Sequence, residues 1–219
     1  MKNSQTDPKT PLPFLPAKET GWFIFIFDLY CRWLFHRRFD KVNITNNYKP
    51  GPGQKSIYYL NHHSWWDGLI PFLLNQRLFR QNARGMMEDK QLHQYPFFRK
   101  LGVFSIDLSS PRASVQAMRY SVTSMNRPGA ALYIFPQGKI EPFRTSNLNF
   151  KKGIGWLAKK VPEADLVPVG IHIHTMQSDK PILDIHVGEP AKFNRSESSR
   201  NIKKQLEDEL SELLFTLIK

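Results

Sequence analysis

The chain has 219 residues, a formal net charge of +12 and an isoelectric point near 9.8. This length suits one domain with an appendage, and it can bury a core without disulfides or metals. A single cysteine, Cys31, excludes an internal disulfide and agrees with a reducing compartment. Because no Cys/His cluster has the ligand spacing of a zinc site, we expect no metal.

The composition changes abruptly near residue 20. Residues 1–19 are polar and contain four prolines, so we expect a flexible tail. Residues 22–35 are almost all apolar or aromatic. As a helix they would extend roughly 21 Å at 1.5 Å per residue, whereas the hydrocarbon core of a bilayer is about 30 Å thick. This segment is therefore short for a transmembrane helix, and it lacks the small-residue cleavage site of a signal peptide.

Within the apolar segment, Asp28, Arg32 and His36 recur at four-residue spacing and form one polar stripe. Asp28 and Arg32 are placed to pair across one helical turn. We therefore assign residues 20–45 to an apolar and basic helix at a membrane interface, with tryptophans and arginines at the level of the lipid headgroups. A helix buried against the following domain is the alternative.

Beyond residue 54 the sequence alternates between β-type and helix-like stretches, a pattern typical of α/β domains with a mainly parallel sheet. We predict strands at residues 56–60, 83–87, 103–107, 130–135, 166–171 and 182–187. We predict helices at residues 67–75, 89–100, 111–126, 151–161 and 198–218. The short connection between the last two strands indicates an antiparallel edge. Residues 46–219 are thus predicted to form one α/β domain, a mostly parallel sheet flanked by helices.

Several predicted strands end in polar or glycine-containing motifs, and in α/β sheets ligands bind at the carboxyl ends of the strands. The first strand is followed by Asn-His-His-Ser-Trp-Trp-Asp at residues 61–67. A histidine accepts a proton near neutral pH, and a carboxylate can hold one tautomer and stabilise the charged imidazole. The pattern indicates an oriented general base, His62 with Asp67. Ser64 and Asp67 also suit a plainer role, the capping of a helix.

Four such motifs in this order resemble the lysophospholipid acyltransferases, the group typified by 1-acylglycerol-3-phosphate acyltransferase. The family's first motif, Asn-His-x-Ser-x-x-Asp, is matched by residues 61–67. Its second, close to Gly-x-Ile-Phe-Ile-Asp-Arg, is approximated by residues 102–107, and its third, Phe-Pro-Glu-Gly-Thr-Arg, by residues 135–138. A Val-Pro-Val-Gly strand follows at residues 167–170. The resemblance covers roughly residues 20–190.

The resemblance implies transfer of a fatty acyl group from a thioester to a hydroxyl of a lipid acceptor, without a resident cofactor. In this reaction His62 is the general base that takes the acceptor's proton, and Asp67 orients and charge-stabilises it. His63 is the rival base, four residues from Asp67, but the motif match favours His62. Substrate binding is assigned to further residues of the first and third motifs: Asn61, Ser64, Phe135, Pro136, Gln137, Gly138 and Lys139.

The second and third motifs depart from the family pattern. Leu108 stands where the second motif has arginine. Gln137 replaces the glutamate of the third motif, and Lys139-Ile140 replaces its Thr-Arg. In the family these basic positions are associated with the phosphate of the acceptor, for which the planar arginine fork is well suited.

Two explanations fit these departures. Lys139, Arg112 or Arg144 supplies the missing positive charge, because lysine also binds phosphate. Alternatively, the acceptor lacks a phosphate monoester, as a glycolipid, a carotenoid glycoside, an amino-acid lipid or another lysolipid would. The donor carrier stays open between coenzyme A and acyl carrier protein, since the positive charge suits either acidic partner.

The positive charge indicates an anionic partner. We favour the negative surface of a bilayer over nucleic acid, because no nucleic-acid-binding motif accompanies the scattered basic pairs. We therefore expect a membrane-associated enzyme at the cytoplasmic face. The alternative is a membrane-surface binding protein on an inactive acyltransferase fold. The degraded second and third motifs favour that alternative, and the intact pair of His62 and Asp67 opposes it.

Overall fold

A seven-stranded sheet forms the centre of the fold, in the strand order β1-β7-β6-β2-β5-β3-β4. The coordinates are a computed structural model that describes residues 12–175 and 179–218. The strands are β1 (Lys41–Asn46), β2 (Lys55–Leu60), β3 (Asn82–Glu88), β4 (Val103–Ile106), β5 (Ala130–Ile134), β6 (Ala164–His174) and β7 (Ile182–Val187). Neighbouring strands pair in parallel except β6 and β7, which are antiparallel.

Helices cover both faces of the sheet. They are α1 (Gly21–Arg38), α2 (Ile70–Leu74), α3 (Asp89–Gln94), α4 (Pro111–Ser124), α5 (Gly153–Lys160) and α6 (Ser199–Phe215). Strand β2 shows how the two cores arise, because successive side chains of a strand point to opposite faces. Tyr58 and Leu60 belong to the core beneath α1 and α2, whereas Ile57 and Tyr59 belong to the core beneath α4, α5 and α6.

The predicted fold class is confirmed as an α/β domain with a mostly parallel sheet between helices. All six predicted strands are present, and the antiparallel pairing of the last two is confirmed. The predicted edge position is wrong, because β1 pairs with β7 and is the edge strand. The predicted helix at residues 89–100 is divided: α3 ends at Gln94, and a 3₁₀ helix runs from Pro96 to Leu101. Proline explains the division, because it has no N–H to donate and its ring clashes with the preceding turn.

The predicted helix over residues 20–45 ends earlier than expected. Helix α1 stops at Arg38, and Lys41–Asn46 forms β1, which pairs in parallel with β7. In β1, Val42 and Ile44 pack against the core while their polar neighbours point away. This two-residue alternation is the pattern of a strand rather than of a helix. Residues 41–46 therefore belong to the α/β domain.

The predicted flexible tail is only partly within the described residues, since residues 1–11 lie outside them. Residues 12–19 are held against the domain, contrary to the prediction. Leu15 exchanges two hydrogen bonds with Ser105, one from each backbone N–H, at 2.8 and 2.9 Å. The ring of Phe14 packs edge-on against Tyr120, with 5.2 Å between ring centroids. These contacts fix the approach of the chain to α1.

Helix α1 packs through one side only. Its buried side chains are Phe27, Cys31, Leu34 and Phe35. The ring of Phe27 contacts that of Phe72 in α2, with 5.2 Å between ring centroids. The opposite side exposes large apolar side chains: Trp22, Phe25, Ile26, Leu29, Tyr30 and Trp33. The predicted pair of Asp28 and Arg32 is confirmed at 2.7 Å. Among the described residues, no helix is both long and apolar enough to cross a bilayer.

Candidate active site

The first motif begins where β2 ends, and Asn61 continues the pairing of that strand with β6. Its side-chain amide donates to the carbonyl of Ile171 at 2.9 Å, and its oxygen accepts the N–H of the same residue at 2.8 Å. Asn61 is buried, so its polar atoms are occupied by the backbone. Its geometry is that of a residue that fixes the strand end.

Asp67 is the centre of the motif. Its Oδ2 accepts the backbone N–H groups of His63 at 2.6 Å and Ser64 at 2.8 Å, and it lies 3.1 Å from Nδ1 of His62. The carboxylate is fully buried. Ser64 accepts the N–H of Trp66 at 3.2 Å and completes a capping box with Asp67 at the 3₁₀ turn Trp65–Leu69. The predicted capping role of Ser64 and Asp67 is thereby confirmed.

His62 is held both through its imidazole ring and through its backbone. Asp67 accepts from Nδ1, so Nε2 is the nitrogen that remains for a substrate. The ring stacks on Phe135 with 4.3 Å between centroids. The backbone N–H of His62 donates to Oε1 of Gln137 at 2.7 Å, and its carbonyl accepts the N–H of Glu141 at 2.9 Å. The side chain is 18% exposed, which leaves it accessible from the surface.

His63, the rival base, has a different environment. Its Nε2 accepts the backbone N–H of Ile173 at 3.3 Å, which requires this nitrogen to be unprotonated. Burial lowers the pKa of His63 below its usual 6.5, although the Asp67 carboxylate opposes the shift. His63 is therefore a neutral side chain that links the first motif to β6. The geometry thus distinguishes the two adjacent histidines, because Nε2 of His63 is occupied by β6 whereas His62 bonds Asp67 through Nδ1.

A small cleft opens beside His62, with an empty volume of about 150 Å³. Its walls are Asn61, His62, His63, Gln137, Glu141, Pro142, Phe143, Arg144 and Leu148. Among the predicted sources of positive charge, Arg144 lines the cleft. Lys139 forms an ion pair with Glu141 at 2.8 Å, and Arg112 is exposed on the first turn of α4, outside the cleft walls.

The turn of the third motif is built around Gly138, whose φ of +71° favours glycine. Pro136 is buried in this turn, and its carbonyl accepts the N–H of Lys151 at 2.8 Å. The Gly138 N–H donates to the carbonyl of Phe135 at 2.9 Å, so it is not free to stabilise an oxyanion. Leu108, which replaces the second-motif arginine, packs over Gly138.

The side chain of Lys151 also passes beside Gly138. Lys151 belongs to the run Phe150-Lys151-Lys152-Gly153 and was not assigned to the site from the sequence. The structure adds it as a cation next to the third-motif turn. The signal in the sequence was only the position of this run between two motifs.

Cys31 is not a candidate nucleophile. It is buried in α1, and burial, with the nearby Asp28 carboxylate, raises the pKa of its thiol to about 12. A thiol at this pKa stays protonated near neutral pH and is a poor nucleophile.

The family model for Acyltransferase matches residues 41–177, from β1 to just beyond β6, and includes the whole constellation around His62. The chain belongs to the acyltransferase family. The predicted relationship to the lysophospholipid acyltransferases and the prediction of an acyltransferase enzyme are thereby confirmed. The fold is similar to a crystal structure of the 1-acyl-sn-glycerophosphate (LPA) acyltransferase PlsC from Thermotoga maritima. The TM-score is 0.59 at 19% identity, over 89% of this chain and 79% of that one. No curated protein matches the chain in sequence.

In this acyltransferase, the replacement of glutamate by Gln137 has a local cause. Gln137 is buried, and its Nε2 lies 3.3 Å from Oε2 of Glu141. An amide can accept from the His62 N–H at one end and donate to a carboxylate at the other, whereas a glutamate can only accept. The hydrogen bond from Lys139 holds the pKa of Glu141 below its usual value, so this carboxylate is charged near neutral pH.

We predict that Gln137→Glu lowers the free energy of unfolding by about 1–3 kcal/mol, because it places two carboxylates side by side. The added change Glu141→Gln should recover most of this loss, since the donor and acceptor are then exchanged. A double-mutant cycle of denaturant unfolding measures the coupling. Additive effects of the two changes would contradict this account.

We predict that stability falls in acid partly through His63. Because its pKa is lowered in the fold, its neutral form contributes stability fully above about pH 6.5, and this contribution is lost as the pH falls through the folded-state value. His63→Gln, which keeps an acceptor for Ile173, should show a smaller drop in melting temperature between about pH 7.5 and 5.5. The exposed His36 provides the control His36→Gln, which should keep the wild-type dependence. Equal slopes in all three proteins would refute the assignment.

Proposed function

We propose that the protein transfers a fatty acyl group from an acyl thioester to a hydroxyl of a lipid acceptor at a membrane surface. The observation that carries this proposal is the orientation of His62: Nδ1 faces the buried carboxylate of Asp67 at 3.1 Å and the ring is partly exposed beside a cleft. The structurally similar PlsC is a 1-acyl-sn-glycerophosphate acyltransferase, which supports a lipid acceptor.

In the proposed reaction His62 is the general base and no acyl-enzyme forms. Nε2 of His62 removes the proton of the acceptor hydroxyl while that oxygen attacks the thioester carbonyl carbon. Asp67 stabilises the resulting imidazolium and keeps the proton on Nδ1. The tetrahedral intermediate collapses with cleavage of the C–S bond, and the imidazolium returns its proton to the thiolate. The products are the acylated lipid and the free thiol of the carrier.

The cleft supports an acceptor without a phosphate monoester. The charged carboxylate of Glu141 lies in its wall, and Leu108 occupies the position of the second-motif arginine. A phosphate dianion would meet this negative charge with Arg144 as the lining arginine and Lys139 already paired. Hydroxyl-rich or zwitterionic headgroups instead can donate hydrogen bonds to Glu141 and accept them from Arg144. We therefore infer a neutral or zwitterionic lysolipid or glycolipid as acceptor.

The exposed side of α1 supports docking on a bilayer. Trp22, Phe25 and Trp33 are each more than half exposed. Lys100 lies over the ring of Trp22 at 5.6 Å and Arg37 over that of Trp33 at the same distance. Aromatic rings with adjacent cations are typical of helices that lie in the interface of an anionic membrane. The protein would then lie at the cytoplasmic face, where coenzyme A and acyl carrier protein deliver acyl thioesters.

The size of the cleft agrees with docking. Pockets that enclose drug-sized ligands usually measure about 300–1,000 Å³, whereas the cleft beside His62 is shallow, open to solvent and encloses no space of that size. It suits a headgroup hydroxyl and the thioester carbonyl rather than a whole fatty acyl chain. We infer that the hydrocarbon chains of donor and acceptor stay largely in or against the bilayer while the reacting groups enter the cleft.

The function is tested with purified full-length protein, a labelled acyl-CoA or acyl carrier protein thioester, and a set of acceptor lipids in vesicles. His62→Ala should lower the transfer rate by about 10²–10⁴-fold, the usual contribution of a general base. Asp67→Asn should lower it by at least about 10²-fold, because a neutral amide oxygen in place of Oδ2 can still accept from the two backbone N–H groups and from Nδ1 but does not supply the charge that stabilises the imidazolium. The surface variant His186→Gln is the matched control and should keep wild-type activity.

The acceptor set separates the two explanations of the altered motifs. We expect transfer to neutral or zwitterionic lysolipids or glycolipids to exceed transfer to lysophosphatidic acid. A preference for lysophosphatidic acid that Arg144→Gln abolishes would refute the inferred acceptor class and retain the acyltransferase. Unchanged turnover by His62→Ala would refute the reaction itself.

We predict that replacing Trp22, Phe25 and Trp33 by serine weakens binding to vesicles that contain phosphatidylglycerol, because about half or more of each side chain is exposed. Co-sedimentation with vesicles measures the partition, and we expect a loss of at least about tenfold. Val115→Ser, an exposed apolar residue on α4, is the control. Equal partition of the triple variant and the wild type would contradict docking through α1.

A further inference from the structure

Three polar side chains that are not among the cleft walls converge on the antiparallel pair β6 and β7. His172 on β6 lies directly opposite Asp184 on β7, and His174 lies two residues further along the same face of β6. One ring nitrogen of each histidine and one carboxylate oxygen of Asp184 lie within 4.8 Å of one another. Sequence reasoning looked for clustered Cys and His spacing and did not identify this group. The His-x-His pattern on a strand was the available signal.

Neighbouring groups orient two of these side chains. Nδ1 of His172 lies 3.2 Å from the carbonyl oxygen of Leu217, which only accepts, so Nδ1 carries the proton and Nε2 keeps its lone pair. Oδ1 of Asp184 accepts from the side-chain amide of Asn43, the residue opposite it on β1, at 2.8 Å. Histidines that bind a metal commonly donate their other N–H to a carbonyl or carboxylate, and ligating carboxylates are hydrogen-bonded in turn.

His174 is the least satisfied of the three. Its Nε2 lies 2.9 Å from Oδ2 of Asp184, and its Nδ1 is buried without a hydrogen-bond partner in the part of the chain that the structure describes. A buried polar atom without a partner costs about 1–3 kcal/mol. As an ordinary histidine–aspartate pair the cluster is therefore incomplete, and a further ligand is the group that would complete it.

We propose that His172, His174 and Asp184 form a binding site for one divalent transition-metal ion of the Zn²⁺ class. Two imidazoles and one carboxylate suit zinc, and a water completes a tetrahedral site. Hard cations such as Ca²⁺ and Mg²⁺ prefer oxygen ligands and are disfavoured. In a tetrahedral site with bonds of about 2.0–2.2 Å the ligand atoms lie about 3.3–3.6 Å apart. The three ligand atoms here lie within 4.8 Å of one another, so side-chain rotations that move them by about 1 Å would close the site.

The position of the site indicates a structural role. The ion would join β6 to β7 and, through the bond from His172 to Leu217, restrain the end of α6. The ring of His172 stacks on Phe143 with 4.3 Å between centroids, and Phe143 is a wall of the cleft. Partial exposure of His174 and Asp184, at 18% and 22% of their side chains, leaves a route from solvent. This proposal is independent of the reaction assigned to His62.

The test uses the full-length chain without a polyhistidine tag, freed of metal with EDTA. Titration with ZnCl₂ in a calorimeter should show one ion per chain, and Zn²⁺ should raise the melting temperature. Cobalt in place of zinc should give the visible absorption of a four-coordinate site. His172→Ala and Asp184→Asn should each weaken Zn²⁺ binding by at least about tenfold and remove the thermal shift.

Two controls separate this site from other histidines. His186 also lies on β7, but its ring nitrogens contact Thr216 at 2.9 Å and Asn47 at 3.1 Å, so His186→Asn should keep wild-type affinity. His62→Ala should also keep it, since that residue lies in the cleft. If His172→Ala does not fold, Asp184→Asn decides, because its side chain has the same size. No saturable binding by the wild type, or equal affinity in Asp184→Asn, would overturn the proposal.

Discussion

The buried carboxylate of Asp67 is the constraint on which the site depends. Removing such a charge from water costs several kcal/mol, so its hydrogen bonds must compensate. Two backbone N–H groups and the imidazole of His62 converge on Oδ2, and bonds to a charged group contribute about 1.5–3 kcal/mol each. The oxygen that orients the imidazole therefore also closes the turn that carries it. In this motif the structural and the proposed chemical role of Asp67 are one interaction.

Contacts of that turn with β5 and β6 give the two adjacent histidines different surroundings. The chain leaves β2 in an extended form, so His62 and His63 point to different surroundings. His62 meets the ring of Phe135 after β5, whereas His63 accepts the N–H of Ile173 on β6. Both histidines lie near Asp67, but Nε2 of His63 meets a backbone N–H, whereas the contact of the His62 ring with Asp67 is through Nδ1. Proximity to the carboxylate alone would not have separated them.

The same sheet joins three regions with different chemistry. Helix α1 uses one side for the core and exposes aromatic rings on the other. Position 137 of the third motif is glutamine, and the nearby carboxylate is that of Glu141, which Lys139 and Gln137 hold in place. On the antiparallel pair β6 and β7, His172 and His174 lie next to Asp184. The ring of Phe143 stacks on His172 and also contacts His63 in the cleft wall. Each feature depends on a side chain whose partner lies on another strand or loop.

The sequence by itself determined the α/β class, the six strands after residue 54, the antiparallel pairing of the last two strands and the pair of His62 and Asp67. These rest on local signals, namely two-residue and helical periodicity and a motif closed within one turn. Strand β1 was not predicted, because residues 41–45 follow an apolar helix and were assigned to it. The packing of residues 12–19 against Ser105 and Tyr120 was not predicted either, because composition does not indicate which distant residues a segment contacts.

Only the tertiary structure decided which polar groups meet. The loops that fold over the strand ends set three contacts of the third-motif turn. Gln137 meets Glu141, the N–H of Gly138 bonds to the carbonyl of Phe135, and Lys151 lies beside Gly138. The cluster of His172, His174 and Asp184 required the register between β6 and β7. Sequence spacing fixes neighbours along one strand or helical turn, whereas contacts between strands depend on a register that packing of the whole core selects.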